Sequence, residues 1–151
     1  MSYWDTSCLV KLYVAEPDSA QFESHAASAG PLVTSEIGAW ELWTTLRRKE
    51  AAGSLAAGAA RALMQMFRND VASGEIVLIP ADAACQTELE AIVDKCHGHT
   101  PAIPIRTLDA MHLAAARIAG ETEVVTTDRR LRDAAIFEGF TAYPPPSDLT
   151  I

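Results

Sequence analysis

Apolar and polar positions follow one another along this chain in a pattern that predicts strands separated by helices. Short, mostly apolar runs with turn-forming flanks predict buried strands at 2–4, 31–35, 75–80, 123–127 and 140–143. Longer stretches between them predict helices at about 7–15, 18–28, 36–50, 55–72, 82–97, 107–119 and 129–137. Strands that alternate with helices are typical of an α/β fold with a mainly parallel sheet and helices on both faces.

The length and composition predict a single globular domain over residues 1–151. Hydrophobic residues make up 49% of the chain and charged residues 21%, which is typical of a domain with a packed core. No apolar run approaches the ~20 residues that a membrane helix needs, and the first residues lack the basic start of a signal peptide. We therefore expect a cytoplasmic protein with no membrane partner. The tail "YPPPSDLTI" from Tyr143 is expected to form an edge or a surface strap, because proline cannot extend a helix or an inner strand.

The charge balance excludes a broad positive surface for nucleic acid. The chain has 12 basic and 20 acidic side chains, a net charge of −8. A polyanionic ligand would need bound cations or a local basic rim, and a basic protein partner is an alternative. The three cysteines (Cys8, Cys85 and Cys96) are expected to be reduced thiols. The "CHGH" segment at 96–99 has no second ligand pair, so it predicts a helix end and loop rather than a zinc site.

Two aspartates stand where a predicted strand ends and a helix begins. Asp5 follows the first strand, and Asp128 follows the strand in "EVVTT". The carboxyl ends of parallel strands meet at one edge of a sheet, where ligands bind in such folds. Each aspartate is also well placed to cap a helix N-terminus, so the local pattern leaves both roles open.

Two further acids lie inside apolar helices. Asp109 stands in the first turn of "RTLDAMHLAAA", and Glu41 falls on a stripe with Ile37, Trp40 and Thr44. Asp109 either stabilises the helix dipole at the surface or points into a cleft, where it would need a cation. Taken alone, Glu41 is more often a half-exposed helix acid, and His112 more often a packed histidine than a catalytic one.

Other common chemistries lack their motifs. The chain has neither GxGxxG after a strand nor GxxxxGK[ST], so the usual phosphate cradles are absent. Cys8 has no evident histidine partner, which argues against a cysteine nucleophile. Phosphatases of the haloacid dehalogenase type need a second aspartate where this chain has Ser7.

Four segments in order resemble the motif regions of PIN domains, specifically VapC-type toxins of type II toxin–antitoxin pairs. They are "YWDTSCLVKLYVAEP", "VTSEIGAWELWTTLRRK", "RTLDAMHLAAA" and "VVTTDRRLRDAA". The resemblance implies a three-layer α/β/α fold and an acidic catalytic site made of Asp5, Glu41, Asp109 and Asp128. It implies Mg²⁺, with Mn²⁺ as a substitute, held by Asp5, Asp109 and Asp128, while Glu41 acts through water or orients the nucleophile. Ser7, which follows Asp5, is implied as a supporting hydroxyl, and Thr126 is implied as the hydroxyl partner of Asp128.

The same resemblance implies an endoribonuclease toxin that cuts RNA phosphodiesters. Its implied partners are an RNA substrate, a cognate antitoxin and a second copy of the chain in a homodimer. The candidates for rim contacts to RNA phosphates are Arg106, Arg129, Arg130 and Arg132. An alternative is a catalytically silent PIN-like module that acts by protein binding, with Trp40 and Trp43 as part of its surface. The RNA target, the number of metal ions and the antitoxin's identity are left open.

Overall fold

The computed structural model describes residues 1–145, and its centre is a parallel sheet of five strands. The strands are β1 (Tyr3–Trp4), β2 (Leu32–Ser35), β3 (Ile76–Ile79), β4 (Glu123–Val125) and β5 (Thr141–Tyr143). Their order is β3–β2–β1–β4–β5, and every neighbouring pair is parallel. The predicted parallel sheet is therefore confirmed. The predicted strap lies mostly outside the described residues, since only its first three residues, 143–145, are included.

Seven α-helices surround the sheet within the described part of the chain. They are α1 (Thr6–Leu9), α2 (Ser19–Ala29), α3 (Glu36–Ala51), α4 (Ala59–Ser73), α5 (Ala83–Gly98), α6 (Thr107–Ile118) and α7 (Arg129–Phe137). The helix predicted at 7–15 is instead the short α1 followed by a 3₁₀ turn, Val10–Leu12. The helix predicted from 55 begins only after Gly58, because Gly58 has a φ of +83°, outside the helical region.

The helices form a layer on each face of the sheet, which confirms the three-layer arrangement. One buried cluster joins α5, α6 and α7 to the first face, and the other joins α1 to α4 to the second face. Successive strand residues point to opposite faces, so Tyr3 and Val124 enter the first cluster while Trp4 and Val125 enter the second. The central strands β1 and β4 are thus buried on both sides. None of the helices within residues 1–145 combines the length and the hydropathy that a bilayer crossing requires.

The strand order places a crevice at the carboxyl ends of β1 and β4. From β1 the chain moves through β2 to β3 on one side, and it later returns to the other side of β1 for β4 and β5. Connections that leave adjacent strands in opposite directions open a cleft at that edge. Asp5 follows β1 directly, and Asp128 caps α7 three residues after β4 ends. The sheet therefore brings these two acids to the same crevice.

Gly38 allows α3 to pack closely against the strand that precedes it. A Cβ at this position would lie 2.5 Å from Thr34 Oγ1. That hydroxyl is held in place because it donates a hydrogen bond of 2.8 Å to the Trp4 carbonyl. The Gly38 amide donates to Ser35 Oγ, which caps the helix. A side chain here would push the first turn of α3 away from the sheet.

Gly38→Ala is expected to destabilise the protein by about 1–3 kcal/mol, because the added methyl overpacks the contact with Thr34. Urea unfolding of both proteins measures the difference. Gly98→Ala is the matched control, since a Cβ at Gly98 meets nothing within 4 Å and helix propensity favours alanine. In a Thr34→Ala background, Gly38→Ala should lower the free energy of unfolding by less, because the hydroxyl that the methyl would meet is gone. A Gly38→Ala protein as stable as wild type would show that the Thr34 hydroxyl moves aside freely.

Candidate active site

The four acids singled out from the sequence all line one cavity. Asp5, Glu41, Asp109 and Asp128 come from the end of β1, from α3, from α6 and from the start of α7, and the cavity has a volume of about 700 Å³. Only tertiary folding brings them together, since 123 positions separate the first from the last. Their shared location is the crevice at the ends of β1 and β4.

Asp5 is nearly enclosed, and its carboxylate accepts three hydrogen bonds. Its side chain belongs to a residue only 4% exposed. Oδ1 accepts hydrogen bonds from Ser7 Oγ at 2.6 Å and from the Cys8 amide at 3.3 Å, and Oδ2 accepts one from Thr126 Oγ1 at 2.7 Å. Ser7 therefore contacts the acid that it follows. Thr126, expected as the hydroxyl partner of Asp128, instead donates to Asp5 and accepts a hydrogen bond of 3.0 Å from the Asp128 amide. Asp5 also caps α1, so the capping role and the cavity position coexist.

Burial raises the pKa of the Asp5 carboxyl above its ordinary value. Desolvation is the largest cause, and the nearby His112 together with the hydrogen bonds from Ser7, Thr126 and Cys8 opposes it only in part. A cation in the cavity would favour the ionised form of this carboxyl. Burial also raises the pKa of the Cys8 thiol, which agrees with the argument against a cysteine nucleophile.

An arginine connects the other two aspartates. Arg106 Nε donates to Asp109 Oδ2 at 3.1 Å, and its Nη2 donates to Asp109 Oδ1 at 3.3 Å and to Asp128 Oδ2 at 3.1 Å. The hydrogen bonds and charge of Asp109 raise the pKa of the Arg106 guanidinium, with a smaller contribution from Asp128. Asp128 Oδ1 meanwhile accepts from the Arg130 and Leu131 amides and caps α7. The guanidinium thus stands as a cation between Asp109 and Asp128.

The donor chemistry of the cavity suits a hard divalent cation. All four acids offer carboxylate oxygens, which Mg²⁺ and Mn²⁺ prefer, and the position of Arg106 shows that positive charge is accommodated between two of them. The acids do not form a closed ligand shell, however: within residues 1–145 no three His, Cys, Asp or Glu side chains are grouped closely enough to hold a metal ion. A bound ion would have to compete with Arg106.

Glu41 is held by two side chains that reach it from other elements. Its Oε1 accepts hydrogen bonds from His112 Nε2 at 2.5 Å and from Thr6 Oγ1 at 3.3 Å. The apolar stripe expected around Glu41 was wrong, because Trp40 is 59% exposed and Thr44 is also exposed. The buried side of α3 is instead formed by Ile37, Ala39, Leu42 and Leu46. Glu41 lies at the edge of this buried side, facing the cavity.

The basic residues around the cavity differ in part from those expected. Arg106 lines the cavity, and Arg129 and Arg130 join it in an adjoining depression beside Asp128. The expectation for Arg132 was wrong: the residue is 3% exposed, and its guanidinium donates to the carbonyls of Thr126 and Pro144. A buried guanidinium that ties backbone carbonyls cannot reach a phosphate at the rim.

Sequence reasoning missed basic residues on the opposite side of the cavity. Lys11, Arg48 and Lys49 line it from the 3₁₀ turn and the last turns of α3. Arg48 and Lys49 also suit the last turn of α3, where basic side chains interact favourably with the helix dipole. Lys11 and Lys49 both donate to the Glu16 carboxylate, at 2.7 and 2.9 Å. The spacing of Arg48 on α3, two turns after Glu41, was the signal that could have placed it near the acids.

Comparisons with known proteins agree on one family. The sequence profile of the PIN domain matches residues 2–136. Ribonuclease VapC46 of Mycobacterium tuberculosis is 30% identical over 145 residues, covering 95% of this chain and 96% of the relative. Ribonuclease VapC35 of the same species is 29% identical over 141 residues, covering 89% and 90%.

Solved structures share the fold at lower identity. The crystal structure of VapC20 from Mycobacterium tuberculosis, titled a Sarcin-Ricin loop cleaving toxin, has a TM-score of 0.65 at 19% identity and covers 93% of this chain and 97% of its own. VapBC2 from Rickettsia felis, bound to a DNA fragment from its promoter, has a TM-score of 0.67 at 14% identity and covers 94% and 97%. These structures show the shared fold, and the sequence profile and the curated relatives show that this chain belongs to the PIN-domain family, in its VapC-type branch.

Proposed function

We propose that this protein is a divalent-metal-dependent endoribonuclease and the toxin of a toxin–antitoxin pair. The observation that carries the proposal is the convergence of Asp5, Glu41, Asp109 and Asp128 on one cavity at the carboxyl ends of β1 and β4. Four acids in a single cavity repel one another. Such an arrangement is useful when a cation binds there, and phosphodiester hydrolysis is a reaction that a cation in an acidic cavity supports.

The metal ligands in this proposal are Asp5, Asp109 and Asp128, with Mg²⁺ as the ion and Mn²⁺ as a substitute. A divalent ion held by these residues would activate a water molecule and offset charge on the phosphodiester. Ser7 and Thr126 orient the Asp5 carboxylate through the two short hydrogen bonds that they donate to it. Asp128 Oδ1 accepts from the α7 amides, and Oδ2 accepts from Arg106, so Asp128 would hold an ion through Oδ2 only if Arg106 moved away.

Glu41 accepts the proton of the attacking water in this scheme. Its Oε1 is occupied by His112 and Thr6, whereas its Oε2 makes no hydrogen bond to any of residues 1–145. Basic side chains on both sides of the acids would bind the phosphates that flank the cut: Arg106, Arg129 and Arg130 on one side, and Lys11, Arg48 and Lys49 on the other. This local rim provides what a chain with a net charge of −8 otherwise lacks.

The partners follow from the family. The relatives are named ribonucleases, and one solved structural neighbour is a toxin–antitoxin complex from Klebsiella pneumoniae. We therefore propose RNA as substrate, a cognate antitoxin that covers the cavity, and a homodimer. Trp40 on α3 is 59% exposed and is a candidate for one of these interfaces, whereas Trp43 packs partly into the core. The cytoplasm is the proposed site of action.

One observation favours the alternative of a catalytically silent module. Arg106 already pairs with Asp109 and Asp128, and the described residues present no group of three ligands in place. If Arg106 does not yield to a metal ion, the cavity would serve as a docking site for a partner protein only. The two predictions below separate these functions.

Asp5→Asn and Asp109→Asn are each expected to reduce Mg²⁺-dependent cleavage of RNA by more than about 100-fold, because each removes a charged ligand. Cleavage of total and transfer RNA, and calorimetric titration of Mn²⁺, measure the loss. Asp94→Asn is the matched control, since Asp94 is exposed on α5 and away from the cavity. Circular dichroism must show that the variants stay folded, because Asp5 caps α1. Undiminished cleavage in either variant would contradict the proposed metal site.

Arg106→Gln is expected to strengthen Mn²⁺ binding by about two- to fivefold, since it removes an exposed cation that competes for Asp109 and Asp128. Calorimetry of the RNA-free protein measures the affinity. Arg130→Gln makes the same charge change, and the Arg130 side chain bonds neither acid. An equal increase in Mn²⁺ affinity in both variants would indicate a general charge effect. Absence of metal binding in wild type and in Arg106→Gln would favour the silent module.

A further inference from the structure

His112 is a buried histidine whose two ring nitrogens both have partners in the site. It is 4% exposed and lies on α6, one turn after Asp109. Nε2 is 2.5 Å from Glu41 Oε1, and Nδ1 is 2.7 Å from the Tyr3 hydroxyl. An ionised carboxylate only accepts hydrogen bonds, so the Nε2–H group of His112 is the donor in the hydrogen bond to Glu41. The His112 ring therefore links Tyr3, in the central strand β1, to Glu41 in the cavity.

The other side of the histidine is anchored in the core. Tyr3 in β1 is fully buried, and its hydroxyl is also hydrogen-bonded with Ser35 Oγ at 2.9 Å. The Tyr3 and His112 rings pack edge to face with centroids 5.8 Å apart. The ring also lies beside Gly38 of α3, where a Cβ would be in ordinary van der Waals contact with His112 Cε1 at 3.8 Å. A side chain that is held on every side cannot swing, so it can fix the group to which it donates.

The group that it fixes is a long and otherwise mobile side chain. The Glu41 side chain is 33% exposed. A free glutamate samples many rotamers, so holding it in the one rotamer that catalysis needs costs conformational entropy. The bond from His112, aided by Thr6, engages Oε1 and leaves Oε2 without a partner among residues 1–145. The hydrogen bonds therefore distinguish the two oxygens of one carboxylate.

We propose that His112, held by Tyr3, is a positioning residue that fixes Glu41 through Oε1 and so presents Oε2 to the reacting water. This inference rests on the proposed nuclease function and adds a role that none of the acids can fill. It predicts an effect on turnover rather than on RNA binding, because the His112 side chain is nearly enclosed while the basic rim remains intact.

The test is a double-mutant cycle between His112 and Glu41, measured as single-turnover cleavage of transfer RNA with Mg²⁺. His112→Leu keeps an apolar packing volume and is expected to lower the cleavage rate by about 10- to 100-fold, with the half-saturating RNA concentration nearly unchanged. Glu41→Gln is expected to lower the rate by about 100-fold or more. In the Glu41→Gln background, His112→Leu should lower the cleavage rate by less than about twofold further. A purely structural role would instead add its full effect in both backgrounds.

Two conservative variants keep the test decisive if His112→Leu folds poorly. His112→Gln can place an amide donor near Glu41 Oε1 and should recover much of the lost rate. Tyr3→Phe removes only the hydroxyl that anchors Nδ1, and its smaller loss should also vanish in the Glu41→Gln background. Thermal melts accompany every rate, so that a loss of stability is separated from a loss of turnover.

The outcomes distinguish this inference from the proposed function. Cleavage that survives in Asp5→Asn overturns the metal-dependent nuclease, and the role of His112 falls with it. Loss of cleavage in Asp5→Asn, together with fully additive effects of His112→Leu or Tyr3→Phe and Glu41→Gln, overturns the positioning role alone. Non-additive effects with partial recovery in His112→Gln support both.

Discussion

The hydrogen bond from Thr126 to Asp5 joins the two central strands of the sheet at the point where the cavity begins. Asp5 follows β1, Thr126 follows β4, and both are buried, with 2.7 Å between Oγ1 and Oδ2. A buried carboxylate is costly unless its oxygens are satisfied. Ser7 and the Cys8 amide satisfy the remaining positions. The sheet can therefore keep an acid at its centre, and the arrangement of the other acids depends on that position.

The close approach of α3 and α6 to the end of β1 is the second constraint. Gly38 removes a Cβ that would meet Thr34, and the space beside it is occupied by the His112 ring. Because Tyr3, itself hydrogen-bonded with Ser35, holds that ring from the core side, the position of Glu41 on α3 is fixed relative to α6, which carries Asp109. Small changes in packing at Gly38 should therefore reach the site as well as the stability of the fold.

Charge in the cavity is balanced only in part by the protein's own basic side chains. Arg106 neutralises part of Asp109 and Asp128, and Lys11 and Lys49 share Glu16 on the far side. An overall acidic protein can in this way carry basic groups next to its acids. The same arginine that stabilises the metal-free site would also oppose metal entry, so its withdrawal is part of activation under the proposed function. Substrate phosphates offer the guanidinium an alternative partner.

The sequence by itself determined the periodicity of the elements, the parallel α/β class and the identity of the four acids. Strand and helix periods are local properties, and the four motif segments carry their acids at recognisable positions. Local pattern failed where the environment was set from outside the segment. The helix predicted at 7–15 is a short helix followed by a 3₁₀ turn. Trp40, predicted on an apolar stripe, is exposed, and Arg132, predicted at the rim, is buried and donates to the carbonyls of Thr126 and Pro144.

Only the tertiary structure decided what each acid contacts. Glu41 lies 71 positions from His112, and Asp5 lies 121 positions from Thr126. No spacing rule relates residues so far apart, because their distance depends on strand order and helix packing. The bridge that Arg106 forms between Asp109 and Asp128, and the basic groups Lys11 and Arg48 across the cavity, have the same origin. The sequence motifs therefore identify the acids, whereas strand order and helix packing determine which side chains contact them.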